Sequence, residues 1–264
     1  DELDGPRGRI YLIKQVLEGT AATESTQLHL DRCLTCRSCE TTCPSGVEYG
    51  KLVDIGRKVV DDQVGRPALD AIKRRAMSTV LSSNTLFAPA LATGRALGGL
   101  VPANLRKKIP APQHHDAWPA ERHARKMVVL EGCVQPSLSP NTNAAAARVL
   151  DRIGISLVRA KQAGCCGAVA FHMNFQEDGR DHMRRNVDAW LPMLDAGVET
   201  IVMTASGCGS TVKEYDHLLA HDGTYAARAA RVSAATRDLT QVLEAESDRL
   251  VPMLEQAAAG KPRR

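Results

Sequence analysis

Aromatic residues are scarce. Three Phe, four Tyr and two Trp among 264 residues leave any core to Leu, Val, Ile, Ala and Met. A strong excess of one charge is also missing. Lys and Arg number 34 against 30 Asp and Glu, a net charge of +4, so the composition does not call for a nucleic-acid partner. No basic segment precedes an apolar one at the start, where Asp1-Glu2-Leu3-Asp4 is acidic, so a secretory signal peptide is not expected. No uninterrupted apolar run is long enough for a membrane helix, which needs ~20 residues. The most apolar stretch, 79–101, is broken by Ser82, Ser83, Asn84, Pro89 and Arg95 and reads as a buried or docking helix. There is no Gly-x-Gly-x-x-Gly after a strand, no Gly-Lys-Ser/Thr loop and no Gly-x-Ser-x-Gly elbow, so nucleotide, flavin and serine-hydrolase chemistry have no signal. The expected location is the cytoplasm. The chain does not begin with Met, which reads as a fragment or a processed chain.

Cysteine is what the sequence has in excess: eight, unevenly placed. A disulfide scaffold is the poorer reading, because such scaffolds are short and loop-rich. In the first hundred residues apolar positions recur at helical spacing in 8–18, 26–32, 47–62 and 67–81, with Ser45 as the expected cap of the third helix. Residues 103–125, rich in Pro and holding His114 and His115, read as a linker with both histidines at the surface. Beyond it, short apolar runs at 127–130, 155–158 and 200–203 alternate with helical patterns at 143–153 and 177–194. That alternation predicts an α/β unit with a parallel sheet. Each run leads into a glycine-flanked cysteine loop, around Cys133, Cys165-Cys166 and Cys208. The carboxyl ends of parallel strands form a ligand crevice, so these loops are expected to converge. The overall expectation is an α+β, mostly α, fold. A helical ferredoxin-like domain spans 1–102, a linker 103–125, a cysteine-rich α/β domain 126–225 and a helical tail 226–264, frayed at its end.

Cys33-Leu-Thr-Cys36-Arg-Ser-Cys39-Glu-Thr-Thr-Cys43-Pro44 is a C-x2-C-x2-C-x3-C-P run. This is the bacterial ferredoxin spacing for a [4Fe–4S] cluster: two-residue spacers aim three thiolates at one cube, and the fourth cysteine turns toward a second cluster. Cubane iron favours soft thiolate ligands. Zinc also uses Cys-x2-Cys, but as two hooks separated by a longer loop. A second such run is absent, so the fourth ligand for Cys33, Cys36 and Cys39 is expected from residues before Asp1 or from another chain, with truncation preferred. Cys133, Cys165, Cys166 and Cys208 read as a shared metal or cluster site. Inert buried thiols and direct thiol redox chemistry are the alternatives. His172 and His182 are assigned to solvent or core contacts, and Lys51, Arg57 and Lys58 to a solvated helix face.

The pattern Gly-Cys133-Val-Gln-Pro…Gly-Cys165-Cys166-Gly…Ser-Gly-Cys208-Gly resembles the CCG cysteine-rich domain. That domain occurs in heterodisulfide reductase subunits and in iron–sulfur subunits of flavin-linked 2-hydroxy-acid and glycerol-phosphate dehydrogenases. The segments DELDGPRGRIYLIKQVLEG, HLDRCLTCRSCETTCPSGVEYGKLVDIGRK and VVLEGCVQPSLSPNTNAAAARVL are similar to the glycolate oxidase (glycolate dehydrogenase) iron–sulfur subunit family. The resemblance implies a non-catalytic electron-transfer subunit carrying [4Fe–4S] clusters, two in the full-length family, with a further metal or cluster at the CCG site. It also implies an FAD-containing partner that oxidises glycolate to glyoxylate, a quinone or similar acceptor, and a place in the cytoplasm or at the inner face of the membrane. Lactate and glycerol-3-phosphate dehydrogenase subunits, or a heterodisulfide-reductase-type thiol protein, are the alternatives. The family carries two ferredoxin motifs and two CCG modules where this chain has one of each. The fuller CCG pattern closes with Cys-x2-Cys, and the matching position after Cys208 is Thr211.

Overall fold

The computed structural model describes residues 2–99, 104, 107, 109–114 and 116–259. Much of the expected linker, His115 and the frayed end at 260–264 lie outside them. The described residues are mostly α-helical with one small parallel sheet, and they divide into two compact units.

The first unit comprises Asp1–Thr79 with Val169–Asp178. It contains helices α1 (Pro6–Leu17), α2 (Glu24–Asp31), α3 (Ser38–Thr41), α4 (Tyr49–Val64) and α5 (Ala68–Leu81). Ile13 and Val16 of α1, Leu30 of α2 and Val60 of α4 form its apolar centre. The α1–α4 approach is close because position 56 has no side chain: a Cβ there would stand 2.5 Å from Ile13 Cγ1. α2 begins at Thr23, whose Oγ1 accepts the Thr26 N–H.

The second unit comprises Val80–Ala168 with Gly179–Arg264. It opens with α6 (Asn84–Ala96). The expected single helix across 79–101 is therefore two. α5 stops at Leu81, Ser83 adopts extended backbone, and its carbonyl accepts the first amide bond of α6, from Phe87. α6 buries none of its residues, which corrects the buried-helix reading, and it belongs to the second unit although the sequence pattern groups it with the first. No helix among the described residues is long and apolar enough to cross a membrane.

Strands β1 (Arg125–Val129), β2 (Ile155–Arg159), β3 (Ile201–Met203) and β4 (Thr236–Asp238) form a parallel sheet in the order β2-β1-β3-β4. Register pairs Met127 with Leu157, Val128 with Ile201 and Ile201 with Thr236. Successive strand residues face opposite sides, yet Met127 through Leu130 are all buried, so both faces are covered. That is why these strands read as unbroken apolar runs. On one face Met127, Val129, Ile155 and Leu157 pack on Ala146, Ala147 and Leu150.

Connecting helices follow each strand: α7 (Gln135–Leu138) and α8 (Pro140–Arg152) after β1, then α9 (Ala168–His172) and α10 (Gln176–Asp195) after β2. Next come α11 (Ser206–Lys213), α12 (Tyr215–Leu218) and α13 (Ala226–Ala235) after β3, then α14 (Leu239–Ala245) and α15 (Ser247–Ala259) after β4. The segment after 225 is thus not a purely helical tail. Its β4 completes the sheet, held by Lys213 Nζ to Asp238 Oδ2 at 2.7 Å. Three residues are too few for an alternation signal.

Candidate metal centres

The first cysteine run is a tight loop between α2 and α4. Thr35 and Arg37 adopt left-handed backbone, φ 54° and 58°, which costs non-glycine residues about 1–3 kcal/mol each. Such strain persists where the surroundings over-determine it. Arg57 of α4 is the main determinant. It is 6% exposed, donates Nε and Nη2 to the Leu30 carbonyl at 3.0 and 2.9 Å, Nη2 also to the Cys33 carbonyl, and Nη1 to Thr35 Oγ1 at 3.0 Å. The guanidinium therefore ties the end of α2 to the first turn of the cysteine loop, which corrects the solvated-face reading for this residue. Lys51 and Lys58 do sit on α4 with acidic neighbours, Glu48 and Asp62.

Backbone amides are turned toward the sulfurs. Thr35 N–H donates to Cys33 Sγ at 3.4 Å. The Ser38 amide and hydroxyl hold Cys36 below its ordinary pKa. The amides of Val47, Ser45 and Gly46 do the same for Cys43. Among them Gly46 takes left-handed backbone, φ 62°, so no helix runs on from Ser45 and α4 starts at Tyr49. Burial pushes Cys39 up, joined by the charges of Glu40, Cys33 and Cys36. For Cys43 the charge of Arg7 adds a little to the pull of those amides. Tyr49 is buried, and its hydroxyl has no hydrogen-bond partner among the described residues.

Four exposed or half-buried free thiols, amide donors aimed at sulfur and an unpaired buried hydroxyl suit an anionic, sulfur-rich group, so the residues present fit an iron–sulfur cluster. Among the described residues, no three His, Cys, Asp or Glu side chains are gathered closely enough to hold a single metal ion.

In the first unit His172 Nδ1 lies 3.0 Å from Asp54 Oδ1, and Asn174 Nδ2 donates to the Arg57 carbonyl at 3.3 Å. His172 is therefore a packing contact of α4. Exposed His114 stands 4.0 Å from Asp116.

The second cysteine set lies at the carboxyl ends of β1, β2 and β3. Cys133 follows β1, Cys165 and Cys166 follow β2, and Cys208 sits in the first turn of α11 after β3. Their thiols contact one another in a chain: Cys133 to Cys165, Cys165 to Cys166, Cys166 to Cys208. Cys165 is the preferred seat of negative charge. Hydrogen bonds from Cys133 and Cys166 draw it far down, with the Gly167 amide and the His182 imidazole adding to them. Its donors Cys133 and Cys166 are pushed up, while the Cys166 contact draws Cys208 down. Thr211 occupies the position of a fifth thiol, and its hydroxyl donates back to the Gly207 carbonyl at 3.1 Å.

Two residues that the sequence reading passed over hold this array. Asn186, fully buried on α10, accepts the Gly164 N–H at 2.9 Å and donates to the Cys165 carbonyl at 2.9 Å and to Tyr215 Oη at 3.1 Å. Tyr215 in turn donates to the Cys166 carbonyl at 2.7 Å. A signal existed for Asn186: it lies on a helix stripe with Met183, Val187 and Trp190, a polar residue among apolar ones. Gln135 links the β1 and β3 loops through Asn143 and Thr204, at 3.0 and 2.8 Å. Gly167 closes the cysteine pair at φ 92°, and a Cβ there would meet the Gly179 carbonyl oxygen at 2.5 Å.

A short parallel sheet that delivers glycine-flanked cysteines from three successive strand ends to one thiol array is a cysteine-rich module, and residues 127–213 match the family model of the CCG cysteine-rich domain. The chain as a whole is 53% identical over 247 residues to the glycolate oxidase iron-sulfur subunit of Escherichia coli, covering 93% of this chain and 61% of that protein. It is 29% identical over 269 residues to the probable glycolate oxidase iron-sulfur subunit of Bacillus subtilis, covering 92% and 60%. Lactate utilization protein A of Anoxybacillus flavithermus is 27% identical over 111 residues, 42% of this chain and 44% of that protein. The chain thus spans about three-fifths of the length of the first two curated relatives. No solved structure matches it.

Proposed function

We propose that this chain is the electron-transfer part of an iron–sulfur subunit in a flavin-linked 2-hydroxy-acid dehydrogenase, with glycolate the substrate of the complex. The carrying observation is the Cys33–Cys43 loop, whose strained backbone and amide donors are organised around sulfur. The likeness to the two glycolate oxidase iron-sulfur subunits supports glycolate over lactate.

When bound, a [4Fe–4S] cluster accepts and passes single electrons. Cys33, Cys36 and Cys39 hold it in this reading. Cys43, by the C-x2-C-x2-C-x3-C-P spacing, faces a second cluster whose remaining ligands lie outside this chain. Oxidation of glycolate to glyoxylate releases two electrons and two protons. An FAD-containing partner takes the electrons, and this chain relays them singly toward a quinone or similar acceptor at the inner face of the membrane. Cys133, Cys165, Cys166 and Cys208 form a further metal or cluster site. Cys165 and Cys166 are each 2% exposed, which argues against a reagent-accessible catalytic thiol.

The test is anaerobic purification with iron and acid-labile sulfide quantification and EPR of the reduced protein. The expected result is iron and sulfide in equal amounts and a signal that Cys36→Ser abolishes or alters. Iron-free protein from an iron-replete preparation, or an unchanged signal in the variant, overturns the assignment.

A further inference from the structure

Tyr49 opens α4 on the face that also carries Val53, Arg57 and Val60, spaced by four, eight and eleven residues. All four are buried. The polar groups that bear on the Tyr49 hydroxyl are the Cys33 thiol and the Arg9 guanidinium. Arg9 is committed elsewhere, with Nε on the His29 carbonyl at 2.8 Å and Nη2 3.8 Å from Asp4. Both groups stand close to the hydroxyl, yet among the described residues neither meets it in hydrogen-bond geometry. Leaving such a group buried and unpaired costs about 1–3 kcal/mol. Arginine offers donors only, so Arg9 can supply the hydroxyl with a proton donor but never an acceptor. The acceptor available to the O–H is sulfur. Cys33 is also the cysteine whose carbonyl Arg57 grips from the same helix face. One face of α4 therefore fixes the backbone of Cys33 and carries a buried hydroxyl, without a partner among the described residues, beside its thiol.

We propose that Tyr49 donates its O–H to the Cys33 sulfur once the iron–sulfur group is bound, and so tunes that group's reduction potential. This rests on the reading of Cys33 as a cluster ligand. A donor to a ligand sulfur offsets the charge gained when one electron arrives, so the reduced form is favoured and the potential is raised. No proton moves: the phenol keeps its hydrogen in both states. Tyr49 is a positioning and tuning residue, not a catalytic one.

The experiment is a redox titration of the full chain, reconstituted anaerobically with iron and sulfide and followed by EPR. Two variants are compared with wild type: Tyr49→Phe, and the chain with 3-fluorotyrosine at position 49. Tyr49→Phe is expected to hold the same iron and sulfide as wild type. At the wild-type midpoint its reduced-to-oxidised ratio falls about tenfold, which is about 59 mV for one electron. Fluorotyrosine, a stronger donor, shifts the midpoint the opposite way. A purely structural role moves neither in this opposed manner. Loaded variants that both titrate at the wild-type potential overturn the proposal. If Tyr49→Phe does not fold, the fluorotyrosine chain decides alone. A wild type that takes up no cluster overturns the ligand reading beneath it.

Discussion

The Tyr215 hydroxyl donates to the Cys166 carbonyl at 2.7 Å while Asn186 holds the carbonyl of Cys165, so two adjacent cysteines are fixed through their peptide oxygens. Their thiols meet Cys133 and Cys208, and the Gly167 amide adds a bond of 3.4 Å to the Cys165 sulfur. Removing the hydroxyl in Tyr215→Phe leaves a buried carbonyl unpaired and takes a partner from Asn186. The expected cost is about 1–3 kcal/mol, measured as a lowered denaturation midpoint with unchanged slope.

Arg57→Met removes the donors to Leu30, Cys33 and Thr35 together. Bonds from a charged donor are each worth about 1.5–3 kcal/mol, so iron content and melting temperature are both expected to drop. Arg57→Lys is not expected to rescue, because one ammonium lacks the fork that spans two carbonyls and a hydroxyl. A lysine variant with wild-type iron content and melting point would contradict the anchor role.

Gly167→Ala combines a left-handed φ with a Cβ driven against the Gly179 carbonyl. Destabilisation of about 2 kcal/mol or more is expected. The Cys165–Cys166 pair should also become reactive toward an alkylating reagent that leaves the wild type untouched, as followed by mass spectrometry.

Acid should weaken the second unit. Arg125 holds Glu246, Arg122 holds Asp151 and Arg184 holds Asp222 below their ordinary pKa values. A carboxylate depressed in the folded state contributes stability above its unfolded pKa and loses it as pH falls through the folded one. Wild type and Arg125→Met should therefore differ in melting temperature at pH 7, and the gap should close below about pH 4. A gap that persists undiminished at pH 3 would count against the Glu246 contribution.

How much of this was legible in the chain differs by element. The C-x2-C-x2-C-x3-C-P run, the three apolar strands and the α8 and α10 helices were readable because local spacing dictates them. The run prescribes a thiolate hook, and apolar runs between glycine loops prescribe buried parallel strands. Fold class, the family resemblance and the cysteines worth watching follow from that alone. Tertiary structure decided what depends on distant partners. Arg57 looks like a surface charge until the α2 end and the cysteine loop bring the Leu30 and Cys33 carbonyls to it. Strand β4, only three residues long, exists because β3 offers it an open edge. Ser45 caps no helix because Gly46 after it takes left-handed backbone. Asn186, Tyr215 and Tyr49 are ordinary helix residues in one dimension, and their roles arise because a buried polar atom needs a partner that only the folded chain can bring within 3 Å.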